Sequence, residues 1–444
     1  MRRFSIAGLT LASVLAAAMP ALAGSWLTQA TLATNGYQGS VALDASGNMV
    51  SVWDQETQLN GSQVSEIWAS TATFGRSWSS PVDVSGSLGT GAGYPAVRSS
   101  AAGKATVVYT NPNSGTGLYA DHPAGGSWGA PGATNGVNQF YVSDNNGDEG
   151  LAWGTGGARP TSSTIVAVER LAGSSWGSAT TIAAAPHLSF DGAVIAPDSS
   201  MAVAWESFDS TCGSRTCKTS NWVLHISTRA AGSLNWLDSG PLLGPDATQH
   251  FGQLAADGLG DLGVVSLKGG NIVSVVRHGP NWSGPVVVAS ASSFQYYTGT
   301  GRDNRIFATD ANGHATLVGW GDIHLLTLAA IDGNLATNTW GAPTTISGSD
   351  QSPGYFDFAM SSSGAAIVFW PILNSGGTGT TLWRAATRAA GKPWNAPATA
   401  GTSYEGGGTP DGIAVNGAGQ ALVLFHGYSS DLTTNILYTS AYQP

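Results

Sequence analysis

The chain has 444 residues, too many for one ordinary small core, so it forms either several domains or one repetitive architecture. Charged residues make up 10% of the chain against about 25% in an average soluble domain, and Gly occurs 61 times, about twice its usual share. This composition argues against long exposed helices and favours short strands joined by tight turns. We therefore expect an all-β protein.

Residues 1–23 have the features of a secretory signal peptide. Arg2 and Arg3 precede an apolar stretch, and Ala21-Leu-Ala23 supplies the small residues that signal peptidase accepts. Removing both arginines lowers Lys+Arg from 17 to 15 against 27 Asp+Glu, which disfavours binding to nucleic acid or an anionic membrane. The sequence thus predicts a secreted or periplasmic monomer of residues 24–444 without a membrane span.

The two cysteines, Cys212 and Cys217, lie close together in the segment STCGSRTC. In an oxidising compartment this spacing predicts a disulfide that clips a loop. A zinc or redox role is the weaker interpretation, because two thiols without nearby His ligands cannot fill a tetrahedral site. The eight His residues show no metal-ligand spacing, so we predict no metal and no cofactor.

One repeat recurs along the chain, and its first half is a strand, a four-residue turn and a second strand that ends near an aromatic residue. Asp, Asn or Ser at the first turn position can bond the backbone two residues on, and Gly at the last accepts positive φ. A degenerate eighth copy is predicted at Pro197–Ser200. The seven regular turns are Asp44–Gly47, Ser100–Gly103, Asp144–Gly147, Asp257–Gly260, Asp310–Gly313, Ser361–Gly364 and Asn416–Gly419.

The second half of the repeat is another apolar strand and a Gly-containing turn that runs into Trp, as in AGGSWGAP at Trp128. This half occurs seven times, and the missing eighth copy stands near the mature N-terminus with Trp26. Four strands in about 50 residues, repeated and closed by an N-terminal strand, are typical of a β-propeller. We predict a single propeller of about eight four-stranded blades, with seven as the alternative count, in which the tryptophans serve mainly as packing.

The Trp turns resemble those of sialidase-type β-propellers with Asp-box (BNR) repeats, whose Ser-x-Asp-x-Gly-x-x-Trp turn joins the third and fourth strands. The Gly-x-x-Trp half survives here, for example at Gly75/Trp78 and Gly391/Trp394, but the Asp is replaced by Thr73 and Ala389. The Arg-Ile-Pro segment of the sialidase pattern is absent. The resemblance therefore implies a propeller fold and supports sialidase chemistry poorly.

Residues that lead into the innermost strands form the predicted ligand site. An aromatic ring interrupted by polar groups suits sugars, whose apolar faces stack while their hydroxyls form hydrogen bonds. The alternative is that these side chains cap the inner strands and pack against neighbouring blades. The predicted ligand-binding residues are Tyr94, Phe190, Asp191, Phe251, Asn304, Arg305, Tyr355 and Asp411.

Three acids directly follow the predicted second strands, namely Asp54, Glu206 and Asp322. Carboxylates about 5–9 Å apart would suit glycoside hydrolysis, so these are the candidate catalytic residues, although acids at strand ends more often serve loops and solvent. Two Gly-x-Ser-x-Gly matches, around Ser127 and Ser175, are copies of the Trp turn and do not predict a hydrolase nucleophile.

The sequence predicts a non-catalytic binding module for glycans or another extracellular surface ligand. One alternative is a glycoside hydrolase of sialidase-like architecture, which would present two close carboxylates or three converging arginines in one funnel. A second alternative is an envelope scaffold that binds protein partners through broad loop surfaces.

Overall fold

A computed structural model gives the fold of most of residues 24–444. None of the residues it describes forms a helix, so this part of the chain holds no helix able to span a membrane. The predicted signal peptide, residues 1–23, lies outside the described residues. The residues described are 24–59, 62–86, 92–111, 113–136, 140–155, 162–213, 216–295, 306–322, 327–348, 355–372, 379–404, 410–431 and 433–444.

The strands form eight antiparallel blades, which we number in chain order. Within each blade the strands are given from the innermost to the outermost. Blades 1 to 3 are Gly36–Leu43, Asn48–Leu59, Ser62–Thr73 and Val82–Asp83; Gly93–Ser99, Ala105–Asn111, Thr116–His122 and Gly132–Ala133; and Phe140–Ser143, Glu149–Thr155, Ser163–Arg170 and Thr180–Ala185. Blade 4 is Leu188–Ile195, Met201–Cys212, Cys217–Arg229 and an outer strand in two pieces, Leu237–Asp238 and Leu243–Asp246.

The later blades follow the same order, and two of them also have divided outer strands. Blade 5 is Gln253–Ala256, Leu262–Lys268, Asn271–His278, Asn281–Trp282 and Val286–Ser290; blade 6 is Phe307–Thr309, His314–Asp322, Thr327–Asn334, Thr339–Trp340 and Thr344–Thr345. Blade 7 is Asp357–Met360, Ala366–Ile372, Thr380–Arg388 and Ala398–Tyr404; blade 8 is Gly412–Val415, Ala421–Tyr428 and Asn435–Gln443.

The N-terminal segment supplies the outer strand of blade 8, as the repeat count predicts. Ser25–Trp26 and Ala30–Thr34 both pair antiparallel with Asn435–Gln443, and Trp26 stands opposite Tyr442. Each inner strand contacts the inner strands of the blades before and after it, and that of blade 8 contacts that of blade 1. The fold is therefore a closed β-propeller of eight blades, and the predicted fold class is confirmed.

The hairpin turns form as predicted, with one correction in register. Asp44 Oδ1 accepts hydrogen bonds from the backbone N–H groups of Ser46 and Asn48, both at 2.8 Å, and Gly47 has φ of +83°. In the degenerate copy the residue with positive φ is Ser199, and its N–H bonds the carbonyl of Ala196. The turn is thus 196–199 rather than Pro197–Ser200, because Ser takes the left-handed position usually held by Gly.

The aromatic residues pack between and within blades, and they differ in how deeply they are buried. Trp53, Trp370 and Trp383 are fully buried, whereas Trp128 of the outer turn is only half-buried against the core of blades 1 and 2. The turn tryptophans differ among themselves, since Trp176 is 7% exposed and belongs to the core between blades 2 and 3. These contacts agree with the prediction that the tryptophans serve mainly as packing.

The predicted disulfide joins Cys212 and Cys217, which close the long hairpin between the second and third strands of blade 4. The hairpin rises well past the neighbouring strand ends, because these strands have 12 and 13 residues against 7 in the corresponding strands of blade 2. The pair therefore fastens the tip of a projecting hairpin, as the sequence predicts.

Candidate functional site

The inner strands all begin at one end of the ring and end in their hairpin turns at the other. We call these ends the mouth face and the turn face. The predicted ligand residues Asn304 and Arg305 lie outside the described residues, as does the side chain of Asp322. The others stand at or just before the first residues of inner strands on the mouth face: Tyr94, Phe190, Asp191, Phe251, Tyr355 and Asp411.

Three of the lead-in residues have left-handed backbone. The values of φ are +46° at Gln38, +65° at Tyr94 and +55° at Phe251, each nine residues before its turn glycine. For a bulky side chain this conformation costs of the order of 1–3 kcal/mol and persists only where the surroundings enforce it. In blade 4 the equivalent position is a β-bulge between Phe190 and Gly192.

Buried carboxylates hold these lead-in segments in place. Asp54 and Glu206 lie within the second strands of blades 1 and 4, which run on past them, so the prediction that these acids follow the strands was wrong. Asp54, 3% exposed, accepts a hydrogen bond from the N–H of Tyr94 at 3.3 Å. Glu206, with no exposed surface, accepts from the N–H of His250 at 2.6 Å. Each of these two candidate catalytic acids thus bonds the backbone of the next blade. Asp54 bonds the left-handed Tyr94 itself, and Glu206 bonds the residue before the left-handed Phe251.

Asp191 acts on the same segment from the other side. Its Oδ2 accepts from the N–H of Gly252 at 2.9 Å, so the residues before and after Phe251 are each bonded to a carboxylate of blade 4. Burial, followed by the nearby charge of Glu206, raises the pKa of Asp191 well above its usual range. A raised pKa keeps the Asp191 carboxyl protonated to higher pH, as a general acid requires.

His250 is fully buried between two acids. Its Nδ1 lies 3.1 Å from Glu206 Oε1, and its Nε2 lies 2.8 Å from Asp246 Oδ2. Burial lowers the pKa of His250, but the hydrogen bonds to Glu206 and Asp246 outweigh this, so the pKa is raised. The imidazolium, which donates from both ring nitrogens, is the form that satisfies both acids.

The aromatic side chains differ in how far they are available to a ligand. Tyr94 is 47% exposed and Tyr355 is 45% exposed, whereas Phe251 packs against the core that blades 5 to 7 share. Phe190 contacts Phe140 edge-on with ring centroids 5.7 Å apart. Tyr94 and Tyr355 are therefore the predicted residues that offer a ring face to solvent, and the two phenylalanines serve largely as packing.

Sequence reasoning missed Tyr37, which stands beside Tyr94. Burial raises the pKa of Tyr37, and the negative charges of Asp54 and Glu56 raise it further. Its hydroxyl reaches Ser65 Oγ at 3.5 Å, and a raised pKa makes it a poor nucleophile. The signal in the sequence was an aromatic residue directly before the lead-in position of blade 1.

Asp411, another predicted ligand residue, pairs within its own blade. Its Oδ2 lies 2.7 Å from Nδ1 of His426, which follows the aromatic residue Phe425 of the second strand. Burial lowers the pKa of His426, but the charge of Asp411 outweighs it and the pKa is raised. Among the described residues no group of three or more His, Cys, Asp or Glu side chains has a geometry for metal binding.

Comparison with known proteins gives structural likeness only. Protein-family models and curated proteins give no match to this sequence, so the Asp-box resemblance rests on the Gly-x-x-Trp turns alone. A solved structure of a protein of unknown function from Dyadobacter fermentans is 10% identical with a TM-score of 0.41, covering 95% of this chain and 99% of that one.

Of two further similar solved structures, one is described as a β-propeller domain and the other as a trans-sialidase. The β-propeller domain of the Trilobed protease from Pyrococcus furiosus is 8% identical with a TM-score of 0.47, covering 81% of this chain and 97% of that one. A leech intramolecular trans-sialidase is 12% identical with a TM-score of 0.32, covering 93% of this chain and 68% of that one. Similarity at this level assigns no function to the chain.

Proposed function

We propose that the mouth face binds glycans through exposed aromatic side chains and that it does so without catalysis. The observation that carries the proposal is Tyr94, which is half-exposed although its backbone is left-handed and bonded to buried Asp54. Strained backbone at an exposed aromatic is retained where a side chain must be presented in one orientation. Sugar rings stack their apolar faces on such side chains.

The carboxylates of the mouth face support binding rather than bond cleavage. A glycoside hydrolase needs two carboxyl groups that both reach the scissile bond. Asp54 and Glu206 are buried to 3% and 0% exposure, and each accepts a backbone hydrogen bond that positions the neighbouring blade. Their role in the proposal is to preorganise the aromatic residues, which lowers the conformational cost of binding.

The disulfide supports a secreted or periplasmic location as part of this proposal. Disulfides such as Cys212–Cys217 form and persist in oxidising compartments, where glycans of cell surfaces and matrices are also found.

The test is a glycan-array screen of the mature protein, followed by calorimetric titration with the best ligand. One stacked aromatic contributes about 1 kcal/mol, so Tyr94→Ala or Tyr355→Ala should weaken binding about fivefold without changing the melting temperature. Leu259→Ala is the matched control, because Leu259 is an exposed apolar residue, 72% exposed, in a hairpin turn of the turn face. Equal binding by all three variants would rule out the mouth face.

The second candidate function is glycoside hydrolysis, which is favoured by the raised pKa of Asp191 beside Glu206. In that case Asp191 would act as the acid. Incubating the protein with its array ligand and measuring reducing ends separates the two functions. Release of sugar that is abolished in Asp191→Asn would establish the hydrolase.

A further inference from the structure

One face of blade 4 carries a serine, a histidine and an aspartate in a continuous chain of contacts. Ser207 Oγ lies 3.3 Å from Nε2 of His225, and Nδ1 of the same imidazole lies 3.3 Å from Oδ2 of Asp238. The three residues come from the second, third and outer strands of the blade. A hydroxyl, an imidazole and a carboxylate in this order are the groups that activate the nucleophile of serine hydrolases.

Strand register and stacking hold the three side chains in this order. His225 stands opposite Trp205 of the second strand, so that Ser207 is its diagonal neighbour on one side. Asp238 stands opposite Ser227, which makes it the diagonal neighbour of His225 on the other side. The imidazole is stacked on the Trp205 indole, with ring centroids 4.1 Å apart and 5° between the planes. The imidazole is therefore fixed in one orientation before a substrate arrives.

The carboxylate of Asp238 determines which nitrogen of the neutral His225 ring carries the proton. An ionised carboxylate only accepts hydrogen bonds, so Nδ1–H donates to Asp238 Oδ2. Nε2 then has a free lone pair, which accepts from the hydroxyl of Ser207. This is the direction of proton transfer that general-base activation of a serine requires.

The repeat does not call for a histidine at this position. Blade 7 has Arg384 opposite its second-strand aromatic residue, Trp370. In five other blades the residue opposite the second-strand aromatic is apolar or aromatic, namely Trp68, Leu118, Val166, Leu328 and Tyr438. His225 thus replaces a packing residue of the repeat with a group that can transfer protons.

The hydrogen bonds of this chain also contribute little to the stability of the blade. The indole N–H of Trp205 donates to Ser227 Oγ at 3.0 Å, so Trp205 needs neither Ser207 nor His225 as a partner. The side chain of Asp238 is 44% exposed, and an ion pair in such a position stabilises a fold only weakly. Ser207 itself is half-buried and remains in contact with solvent.

The backbone around Ser207 limits what can reach its hydroxyl. Leu188, directly opposite in the inner strand, is 4% exposed, so a small acyl group such as acetyl fits best. A β-bulge follows Ser207, where the N–H of Phe208 makes a long bond of 3.3 Å to the carbonyl of His187. The N–H of the residue after the nucleophile is a common oxyanion donor, and this one is held only loosely.

We propose that blade 4 carries an esterase site for small acyl esters, in which Ser207 and His225 are catalytic residues and Asp238 is a positioning residue. Ser207 Oγ bonds to the ester carbonyl carbon while its proton passes to His225 Nε2; the bond to the alcohol oxygen breaks, and the alcohol leaves with that proton. Water then attacks the acyl group and gives a proton to Nε2, and the carboxylic acid leaves as Ser207 Oγ regains this proton. The activity does not rest on glycan binding at the mouth face.

The first test is covalent labelling of a protein of residues 24–444 by a fluorophosphonate, which phosphonylates serines activated in this way. Mass spectrometry of the digested protein should find one label per chain, on Ser207. No label, or a label on another residue, would overturn the proposal. This test needs no variant, so it does not depend on whether a substitution folds.

The second test is hydrolysis of p-nitrophenyl acetate. Ser207→Ala and His225→Gln should each lower the rate at least about a hundredfold. The matched control is Ser220→Ala, an exposed serine of the same hairpin, which should keep the rate of the parent protein. Asp238→Asn should lower kcat about tenfold without changing KM, and Asp238→Glu should restore most of it. Parent-like rates in Ser207→Ala, or loss of rate in Ser220→Ala alone, would refute the assignment.

Discussion

Leu32 offers the sharpest test of ring closure, because it lies in the N-terminal strand and packs into the core between blades 8 and 1. It is 8% exposed and clusters with Leu424 and Leu437 of blade 8 and with Val41 and Trp53 of blade 1. In Leu32→Ala the loss of apolar burial costs about 2 kcal/mol, and the cavity left behind adds one or more. We expect a destabilisation of about 3–4 kcal/mol.

The assay is thermal and urea unfolding followed by tryptophan fluorescence. An unfolding entropy of about 2 cal/mol/K per residue amounts to roughly 0.9 kcal/mol/K for a protein of residues 24–444, so the melting temperature should fall by about 3–4 °C. Leu27→Ala is the control in the same segment. Because Leu27 is 36% exposed, this substitution should shift the melting temperature by less than about 1 °C. Equal shifts in both variants would refute closure through this strand, as would no shift in Leu32→Ala.

Three further predictions concern charged and covalent links. Because the pKa of Asp191 is raised in the folded state, the contribution of this residue to stability is present at acidic pH and is lost as pH rises through the folded-state pKa. Asp191→Asn should therefore raise the melting temperature at pH 8 more than at pH 4. Burial already raises the pKa of Glu169, and Arg229→Met removes the ion-pair partner of this acid. The substitution should lower the free energy of unfolding in urea by about 3–5 kcal/mol at pH 7, and by less at pH 4, where Glu169 protonates. Cys212→Ser should cost about 2 kcal/mol or less, because the disulfide closes a short loop, and peptide mapping of the unreduced parent protein should show no free thiol.

The fold could be predicted from the sequence because its turns have local causes. A side chain that bonds its own backbone and a glycine with positive φ act within four residues. The glycine recurs at each regular turn, and the backbone bond recurs at the turns that begin with Asp or Asn. Counting Trp turns against hairpins then placed the closing strand at Trp26. The error at Pro197–Ser200 arose where this local signal failed, because Ser199 rather than Gly takes the left-handed position.

The site was harder to predict because its determinants are contacts between blades. The sequence placed Tyr94 at the mouth, but not the left-handed backbone, which depends on Asp54 forty residues earlier. His250 was missed because its partners, Glu206 and Asp246, belong to the preceding blade and meet it only in the folded ring.

The most direct measurement of the central claim is a crystal structure of the mature protein with the best ligand from the glycan array. Our account predicts a sugar ring stacked on Tyr94 or Tyr355 at the mouth face, with the Asp54 bond to the Tyr94 backbone retained. A glycan bound elsewhere on the ring, with both tyrosine rings free of it, would contradict the account.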